Sequence, residues 1–339
     1  MAGYKRNVFF LILSSLIIMI SGCKKNETTP DITTPKKWYV LKSQTNLFLS
    51  SVFFINSNSG FAVGSYVDND GLFLHGMIFK TTDEGLNWSV TSPDTLPDLL
   101  TVYFTDTLTG YAAGTGCIIK TINGGKDWFT VLNDPEIHIS SLFFPDKNTG
   151  FASGLFGRIL KTTDAGESWQ LLQSGTRCHL TSVYFTDELK GYAVGYWNED
   201  TDLYGVLVMT TDGGNSWDSI PIPAGYTPEV VTFTHAETGY ICGGNKILKT
   251  RDGGRNWDII YTSFTGNLFS ASFIRNSPTG YVVGQNGLVL KTLDAGVTWT
   301  PMTNSSNYPV NSVFVVNHNL AFFSAFDPST HTGTLLKWE

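Results

Sequence analysis

Five aspartates and one asparagine recur at the same place in a repeated phrase of this 339-residue chain. The first copy reads KTTDEGLNW at residues 80–88. Carboxylates at such fixed positions could serve as general acids or bases. An active site is needed once, however, whereas six copies indicate a turn that every repeated unit requires. The six residues are Asp83, Asn123, Asp164, Asp212, Asp252 and Asp294.

A structural turn explains the other letters of the phrase as well. A short carboxylate can accept hydrogen bonds from nearby backbone N–H groups, and the asparagine can still accept through its amide oxygen. The glycine two positions on permits a positive φ. The tryptophan that ends each copy begins the next strand and packs against its sheet. These tryptophans are Trp88, Trp128, Trp169, Trp217, Trp257 and Trp299.

Each copy follows a second phrase, a glycine and an aromatic residue that open a short apolar run such as GFAVG at 60–64. Before that comes a third apolar phrase, SVFF at 51–54 in the first unit. Short strands and glycine turns with a period of about 40–50 residues predict a β-propeller. Each unit would be a four-stranded blade, with strands a to d from the centre outward.

The two ends of the chain complete each other. Trp38 lies 22 residues before Gly60, and Trp88 lies 22 residues before Gly110, so residues near Trp38 read as an outer strand without its own blade. Residues 311–338 supply three strands that lack an outer one. The sequence therefore predicts an all-β, seven-bladed propeller whose last blade is closed by the N- and C-terminal strands. The alternative is six blades with frayed ends.

The N-terminal segment reads as a targeting signal. A basic start precedes the apolar stretch 8–20, which is too short for a comfortable membrane span and runs into Ile20-Ser21-Gly22-Cys23. A small residue before a cysteine at this place resembles the bacterial lipobox; the alternative is an ordinary secretory signal. We expect a lipoprotein signal peptide at 1–22, a flexible tether at 23–35 and the propeller at 36–339.

Charge and composition restrict the partners. The formal net charge of −7 argues against nucleic acid, because phosphate binding needs a basic patch. We expect contact with the membrane through the Cys23 lipid alone, a monomer, and no metal or other cofactor. Lys24 after the cysteine favours the outer membrane of the cell envelope.

The six phrases resemble the Asp-box, or BNR, repeat of bacterial sialidases, sortilin-type receptors and some xyloglucan-active endoglucanases. The Gly-aromatic strand paired with KTxDGGxxW is most similar to the photosystem II stability and assembly factor family, over residues 38–339. That resemblance implies a non-catalytic scaffold that holds other proteins during assembly. The arginine-rich binding surface of that family is not carried over, because this chain is acidic and poor in arginine.

An enzyme is the competing hypothesis. A sialidase needs three arginines that converge on a substrate carboxylate, whereas Arg251, Arg255 and Arg275 all belong to turns on the lower face, where a–b and c–d turns meet. A glycosidase needs only two carboxylates at a suitable separation, so a glycoside hydrolase or glycan-binding propeller of Asp-box type is the alternative. We expect no catalytic residues.

Three connections between strands b and c, in blades 1, 4 and 7, are longer than the rest. They combine carboxylates with aromatic residues, which suits a peptide, a glycan or a basic protein surface. The alternative is that they are hairpin extensions whose aromatic residues pack on their own stems. The candidate binding face on the upper side comprises Asp68, Asp70, Phe73, Trp197, Glu199, Asp200, Asp202, Tyr204, Phe326 and Asp327.

Lipidation gives the first testable prediction. Cys23→Ala should leave an uncleaved precursor that takes up no labelled fatty acid, because the acylated sulfur is missing. Cys117→Ala is the matched control and should be processed normally. Equal labelling of the wild type and Cys23→Ala would contradict the lipobox interpretation.

Overall fold

The computed structural model describes residues 37–41, 48–67, 74–93, 95–199, 202–263, 265–303, 307–327, 329–330 and 332–339. Side chains are described for these residues except at positions 67, 198, 199, 202 and 203. The predicted signal peptide and tether, with Cys23, lie outside them. Within the described ranges, no helix has the length and apolar character needed to cross a membrane.

The first half of the described chain consists almost wholly of strands, with one 3-10 turn at Leu155–Gly157. Its strands are β1 (Trp38–Leu41), β2 (Phe48–Phe54), β3 (Gly60–Val67), β4 (Leu74–Thr81), β5 (Ser89–Val90), β6 (Leu99–Phe104), β7 (Gly110–Thr121), β8 (Phe129–Phe143), β9 (Gly150–Gly154), β10 (Arg158–Thr162) and β11 (Gln170–Gln173).

The second half continues the pattern, with a 3-10 turn at Gln285–Gly287. Its strands are β12 (His179–Phe185), β13 (Gly191–Glu199), β14 (Asp202–Thr210), β15 (Asp218–Ser219), β16 (Pro228–His235), β17 (Thr238–Gly243), β18 (Lys246–Thr250), β19 (Asp258–Thr262), β20 (Leu268–Phe273), β21 (Gly280–Gly284), β22 (Val289–Thr292), β23 (Thr300–Pro301), β24 (Val310–Asn317), β25 (Leu320–Asp327) and β26 (Thr332–Trp338).

Antiparallel pairing arranges these strands as a β-propeller, so the predicted all-β class and four-stranded blades are confirmed. Five sheets have four strands each, for example β12-β13-β14-β15. The innermost strands contact one another in the order β2, β6, β8, β12, β16, β20 and β24, and β24 contacts β2 again. The contacts therefore close a ring.

The prediction of seven separate blades is wrong, because the hydrogen-bonded sheets number six among the described residues. Predicted blades 2 and 3 form one six-stranded sheet, β6 to β11. β7 runs without a break through two predicted strands, and β8 joins the predicted outer strand of one blade to the inner strand of the next. Thr115 of β7 pairs with His138 of β8, so hydrogen bonding passes across the expected boundary.

The two ends of the chain share one sheet, as the spacing of Trp38 predicts. β1 pairs with β26 from Trp38 opposite Trp338 to Leu41 opposite Leu335. The N–H of Lys37 donates to the carbonyl of Glu339 at 2.8 Å. The predicted closure is confirmed, and the alternative of frayed ends is not.

Aromatic stacking between neighbouring repeat units builds much of the core. The ring of Phe104 stacks on Phe61 of the preceding sheet, with 4.2 Å between centroids. A Cβ at Gly110 would lie 2.4 Å from the Phe104 ring, so the glycine of the Gly-aromatic phrase leaves room for it. Equivalent stacks join Tyr111 to Phe144, Phe151 to Phe185, Tyr192 to Phe233 and Tyr240 to Phe273.

The Asp-box turn is held by a small hydrogen-bond network. At Asp164, one carboxylate oxygen accepts from the Ser168 N–H at 2.9 Å and the other from the Ser168 hydroxyl at 2.6 Å. These hydrogen bonds lower the pKa of Asp164 to about 2. The buried Thr162 hydroxyl donates to Asp164 at 2.7 Å and accepts from the Gly166 N–H at 2.8 Å. The sequence reasoning overlooked this threonine, although every copy has one two residues before the acidic position.

In several units, the lysine of the same phrase links its sheet to the next turn. The Lys80 ammonium donates to the Gly124 carbonyl at 2.7 Å, and Lys161 does the same to Gly213 at 2.7 Å. Lys337 in β26 donates to the Glu84 carboxylate at 2.8 Å, which joins the last repeat to the first.

Ring closure gives the second testable prediction. Deleting residues 36–42 removes β1 with the buried Leu41 and leaves β26 as an open edge. We expect the free energy of unfolding to fall by about 3 kcal/mol or more, measured by thermal denaturation. Deleting residues 24–34 is the control and should change it by less than about 0.5 kcal/mol. Equal effects of the two deletions would contradict closure by β1.

Candidate functional site

Hydrogen bonds between turns define the two faces of the propeller. The N–H of Ala165 in an Asp-box turn donates to the Asn148 carbonyl at 2.8 Å, and Gly213 donates to Leu189 at 2.8 Å. Asp-box turns therefore lie beside the connections between inner strands and their neighbours, on the lower face. The opposite, upper face carries the hairpins such as β13–β14 and the links between sheets.

Aromatic rings line the central channel toward its lower end. Phe53 lies 4.8 Å from Phe314 and 5.4 Å from Tyr103, measured between ring centroids. The row continues from Tyr103 to Phe143 at 5.8 Å and from Phe143 to Tyr184 at 4.5 Å. This end of the channel is thus narrowed by apolar side chains in mutual contact.

The upper mouth of the channel has a different lining. Each innermost strand has a β-bulge, where one residue is skipped in the pairing with the neighbouring strand; in β8 it lies in the inner part of the long strand. Bulges redirect a side chain, and they are common next to functional sites. We call these half-buried residues the bulge ring: Ser50, Leu100, Ser140, Thr181, Glu229, Phe269 and Asn311.

Two histidines lie beside the bulge ring. His138 Nδ1 is 3.0 Å from the Thr115 hydroxyl, and His179 Nε2 is 2.7 Å from the Ser140 hydroxyl. Burial lowers the pKa of both imidazoles, that of His179 to about 4, while the nearby Asp98 carboxylate opposes the shift at His138. Both rings are therefore neutral hydrogen-bonding groups at pH 7.

Glu229 is the carboxylate of the bulge ring. Burial raises its pKa to about 7, and a side-chain hydrogen bond from Tyr196 opposes that shift. The same burial, together with the charge of Glu229, raises the pKa of Tyr196. The neighbouring Thr181 hydroxyl donates to the Pro228 carbonyl at 3.2 Å. Glu229 is thus poised to gain or lose a proton near neutral pH.

The three long connections predicted from the sequence are extended hairpins. β13 and β14 have nine residues each, whereas β9 has five. In the β3–β4 connection, Asp68, Asp70 and Phe73 lie outside the described residues, as does Asp200 in the β13–β14 hairpin. Glu199 and Asp202 pair as the last rung of that hairpin, and their side chains are not described.

The β13–β14 hairpin presents an aromatic pair. Trp197 and Tyr204 lie opposite each other on the two strands. Tyr204 is 51 % exposed, and Trp197 is half-buried. Aromatic residues with large exposed area are frequent anchors of protein interfaces.

Phe326 and Asp327 are buried rather than exposed, which differs from their expected place on a binding face. The Phe326 ring stacks on Phe48 at 3.7 Å, so it joins the last long hairpin to the first inner strand. Asp327 accepts hydrogen bonds from the Ser329 N–H and hydroxyl, which lower the pKa of Asp327 to about 2. Phe326 thus links two sheets, and Asp327 stabilises its own hairpin.

A further aromatic residue, Phe156, was missed by the sequence reasoning. It is 62 % exposed and adopts a left-handed conformation with φ of 60°. The corresponding turn positions hold Gly116, Gly244 and Asn286, residue types that tolerate this conformation. The Gly157 N–H donates to the Cys178 carbonyl at 2.7 Å, so this turn adjoins the start of β12. An exposed bulky residue held in a strained conformation is a signal of function.

Metal and thiol chemistry find no support in the described part of the chain. It contains no group of three or more His, Cys, Asp and Glu side chains that could hold a metal ion. Cys117, Cys178 and Cys242 are buried and free there. Burial raises the pKa of Cys117 to about 11, which favours the unreactive thiol.

Comparison by sequence matches residues 209–322 to the family model described as photosynthesis system II assembly factor YCF48. The family resemblance inferred from the Asp-box phrases is thus confirmed over this part of the chain. No sequence among curated proteins matches the chain.

Solved structures match most of the chain. A structure described as YCF48 bound to D1 peptide is 18 % identical, covers 89 % of this chain and 96 % of its own, and has a TM-score of 0.69. YCF48 from Cyanidioschyzon merolae is 15 % identical, with 89 % and 98 % covered and a TM-score of 0.67. A structure described as that of U3-55K is 9 % identical, with 88 % and 98 % covered and a TM-score of 0.70. At these identities the likeness shows the fold.

The conformation of Phe156 gives the third testable prediction. Phe156→Asn should raise the free energy of unfolding by about 1 kcal/mol, because asparagine tolerates the left-handed region better. The reverse exchange, Asn286→Phe, should lower it by at least as much, since it also removes a hydrogen bond to the Thr265 carbonyl. Denaturant titration measures both. A loss of stability in Phe156→Asn would mean that Phe156 is a packing residue.

Proposed function

We propose that this chain is a non-catalytic scaffold that binds another protein through the upper face of its propeller. The observation that carries the proposal is the division between the faces. Asp-box turns occupy the lower face and aromatic rings narrow that end of the channel, whereas the upper mouth has polar groups and exposed aromatic residues. Features that a scaffold does not need for folding are where function concentrates.

A protein segment is the partner class that we favour over a glycan. A similar propeller, YCF48, is described as bound to a D1 peptide. Exposed Phe156 and Tyr204 supply the large rigid surfaces that anchor peptide and protein partners. The predicted carboxylates Asp68, Asp70 and Asp200 would border the same face.

We also propose that the ring consists of seven repeat units, two of which share the six-stranded sheet. Support comes from the buried clusters, which number seven among the described residues and are each shared by adjacent units. The Asp-box turn at 121–128 joins β7 to β8 within the six-stranded sheet. In a separate blade, the same turn would join the two outer strands, c and d.

The lipoprotein hypothesis gives the scaffold a cellular location. Cleavage before Cys23 and acylation of its sulfur would anchor a monomer in the cell envelope, with Lys24 favouring the outer membrane. Residues 23–35 would then serve as a tether between the lipid and the propeller. The propeller would meet its partner at the membrane surface.

Capture of the partner gives the fourth testable prediction. The full-length lipoprotein is isolated from its own envelope, co-purified proteins are identified, and affinity for the purified partner is measured. Trp197→Ala with Tyr204→Ala should raise Kd about 30-fold, or about 2 kcal/mol, while the melting temperature stays nearly unchanged.

Phe129→Ala is the matched control, because Phe129 is an exposed aromatic residue of β8 away from the upper face. It should leave the affinity unchanged. Binding that survives Trp197→Ala with Tyr204→Ala but fails after substitutions in the Asp-box turns would assign the function to the lower face. Purification of a glycan in place of a protein would favour the alternative function.

A further inference from the structure

Glu229 is a half-buried carboxyl group of the upper mouth that forms no ion pair with a lysine or arginine of the described chain. It is the acidic member of the bulge ring, where its six counterparts are uncharged. We propose that the channel mouth at Glu229 receives one basic side chain, a lysine ammonium or an arginine guanidinium, from the protein that docks on the upper face. This inference rests on the proposed function and names the chemistry of the partner.

The surroundings of Glu229 provide hydrogen bonds but no countercharge. β16 pairs with β17 and packs against β12, β13 and β20, and the titratable groups that interact with Glu229 from these elements and from the preceding loop are Tyr196 and Tyr226. Within the described ranges, no lysine or arginine forms an ion pair with Glu229. The ammonium of Lys246, at the start of β18, interacts with the Asn245 side chain at 3.2 Å instead.

A half-buried carboxyl group without a countercharge is costly to ionise, which is why the pKa of Glu229 rises to about 7. A cation placed beside it removes this cost, whereas an anion would be repelled by the ionised form. The neutral hydroxyl groups of Tyr196 and Tyr226 oppose neither charge. The site therefore discriminates in favour of a cation.

Exposed aromatic residues of the upper face can contact the stem of a long basic side chain. Phe156 is held beside the start of β12, and Tyr204 projects from the adjoining β13–β14 hairpin. Aromatic faces attract cations and pack well against the methylene groups of lysine and arginine. Phe156 is 62 % exposed in a left-handed conformation, and contact with a ligand would explain an aromatic residue at this place.

Charge complementarity points to the same occupant. The whole chain has a formal net charge of −7, so it attracts basic protein surfaces at long range. Arg158 and Arg177 lie on the β10 and β12 side of the mouth. The Arg158 guanidinium donates to the Glu136 carbonyl and is engaged there. Glu229, by contrast, is half-buried and forms no ion pair with a basic side chain of the described residues.

The test uses the full-length chain and a decalysine peptide, with decaglutamate and cellohexaose as alternative probes. Calorimetry at 0.15 M salt measures Kd at pH 6, 7 and 8 in two buffers of different ionisation enthalpy. Lysine stays protonated over this range, whereas Glu229 must be ionised to accept it. Affinity for decalysine should therefore rise about tenfold from pH 6 to pH 8, with release of a proton at pH 6, because the pKa of about 7 falls on binding.

Glu229→Gln should abolish both the pH dependence and the proton release, and should weaken binding about tenfold at pH 8. Asp218→Asn is the matched control: it removes the same charge from an exposed outer-strand residue, and it should retain the slope. A slope that persists in Glu229→Gln, or cellohexaose binding without decalysine binding, would overturn the proposal. Decaglutamate should not bind.

Failure of this inference differs from failure of the scaffold proposal. If Glu229→Gln leaves capture of the envelope partner intact while Trp197→Ala with Tyr204→Ala abolishes it, the scaffold function stands and the basic side chain is wrong. If Phe156→Asn weakens decalysine binding while raising stability, the rim residue serves the ligand rather than the fold.

Discussion

Pairing of the first strand with the last is the interaction on which the rest of the propeller depends. Each sheet packs only on its two neighbours, so every core cluster is shared and an open ring would expose one of them. β1 contributes just four residues, yet Trp38 packs its ring 4.9 Å from Phe323 and 5.2 Å from Trp338. Because β26 gains a partner on its outer side, it is no longer the edge strand of its sheet.

Closure also explains the division of labour between the two faces. Lysines of the repeated phrase reach the turn of the next unit, and Lys337 completes the series by its contact with Glu84. Asp-box carboxylates accept hydrogen bonds from residues of their own turns, as Asp164 does from Ser168 and Thr162. These side chains of the lower face therefore stabilise the ring, which leaves the upper mouth available for a ligand.

Much of the fold could be predicted from spacing alone, because repeated phrases report repeated packing. The pairing of Trp38 with the C-terminal strand followed from one constant distance along the chain. The fusion of two predicted blades did not, because the phrases mark turns and strand centres and carry no signal for whether pairing continues through Thr115 and His138.

The candidate site was harder to predict than the fold. Acidic and aromatic residues in the long hairpins indicated a binding face. Only the packing distinguishes the exposed Tyr204 from Phe326, which stacks on Phe48. Glu229 depends on a β-bulge, whose position is a matter of register between strands. Phe156 had a readable signal, since the turn LFGR corresponds to QNGL, where an asparagine adopts the left-handed conformation.

Hydrogen–deuterium exchange of the full-length chain, with and without its captured partner, tests most directly which face binds. We predict slower exchange on binding at residues 155–158, 202–206 and 227–230, around the upper mouth. Exchange in the Asp-box turns, such as 83–88 and 164–169, should stay unchanged. Slower exchange confined to those turns, with none at the mouth, would contradict an upper-face scaffold.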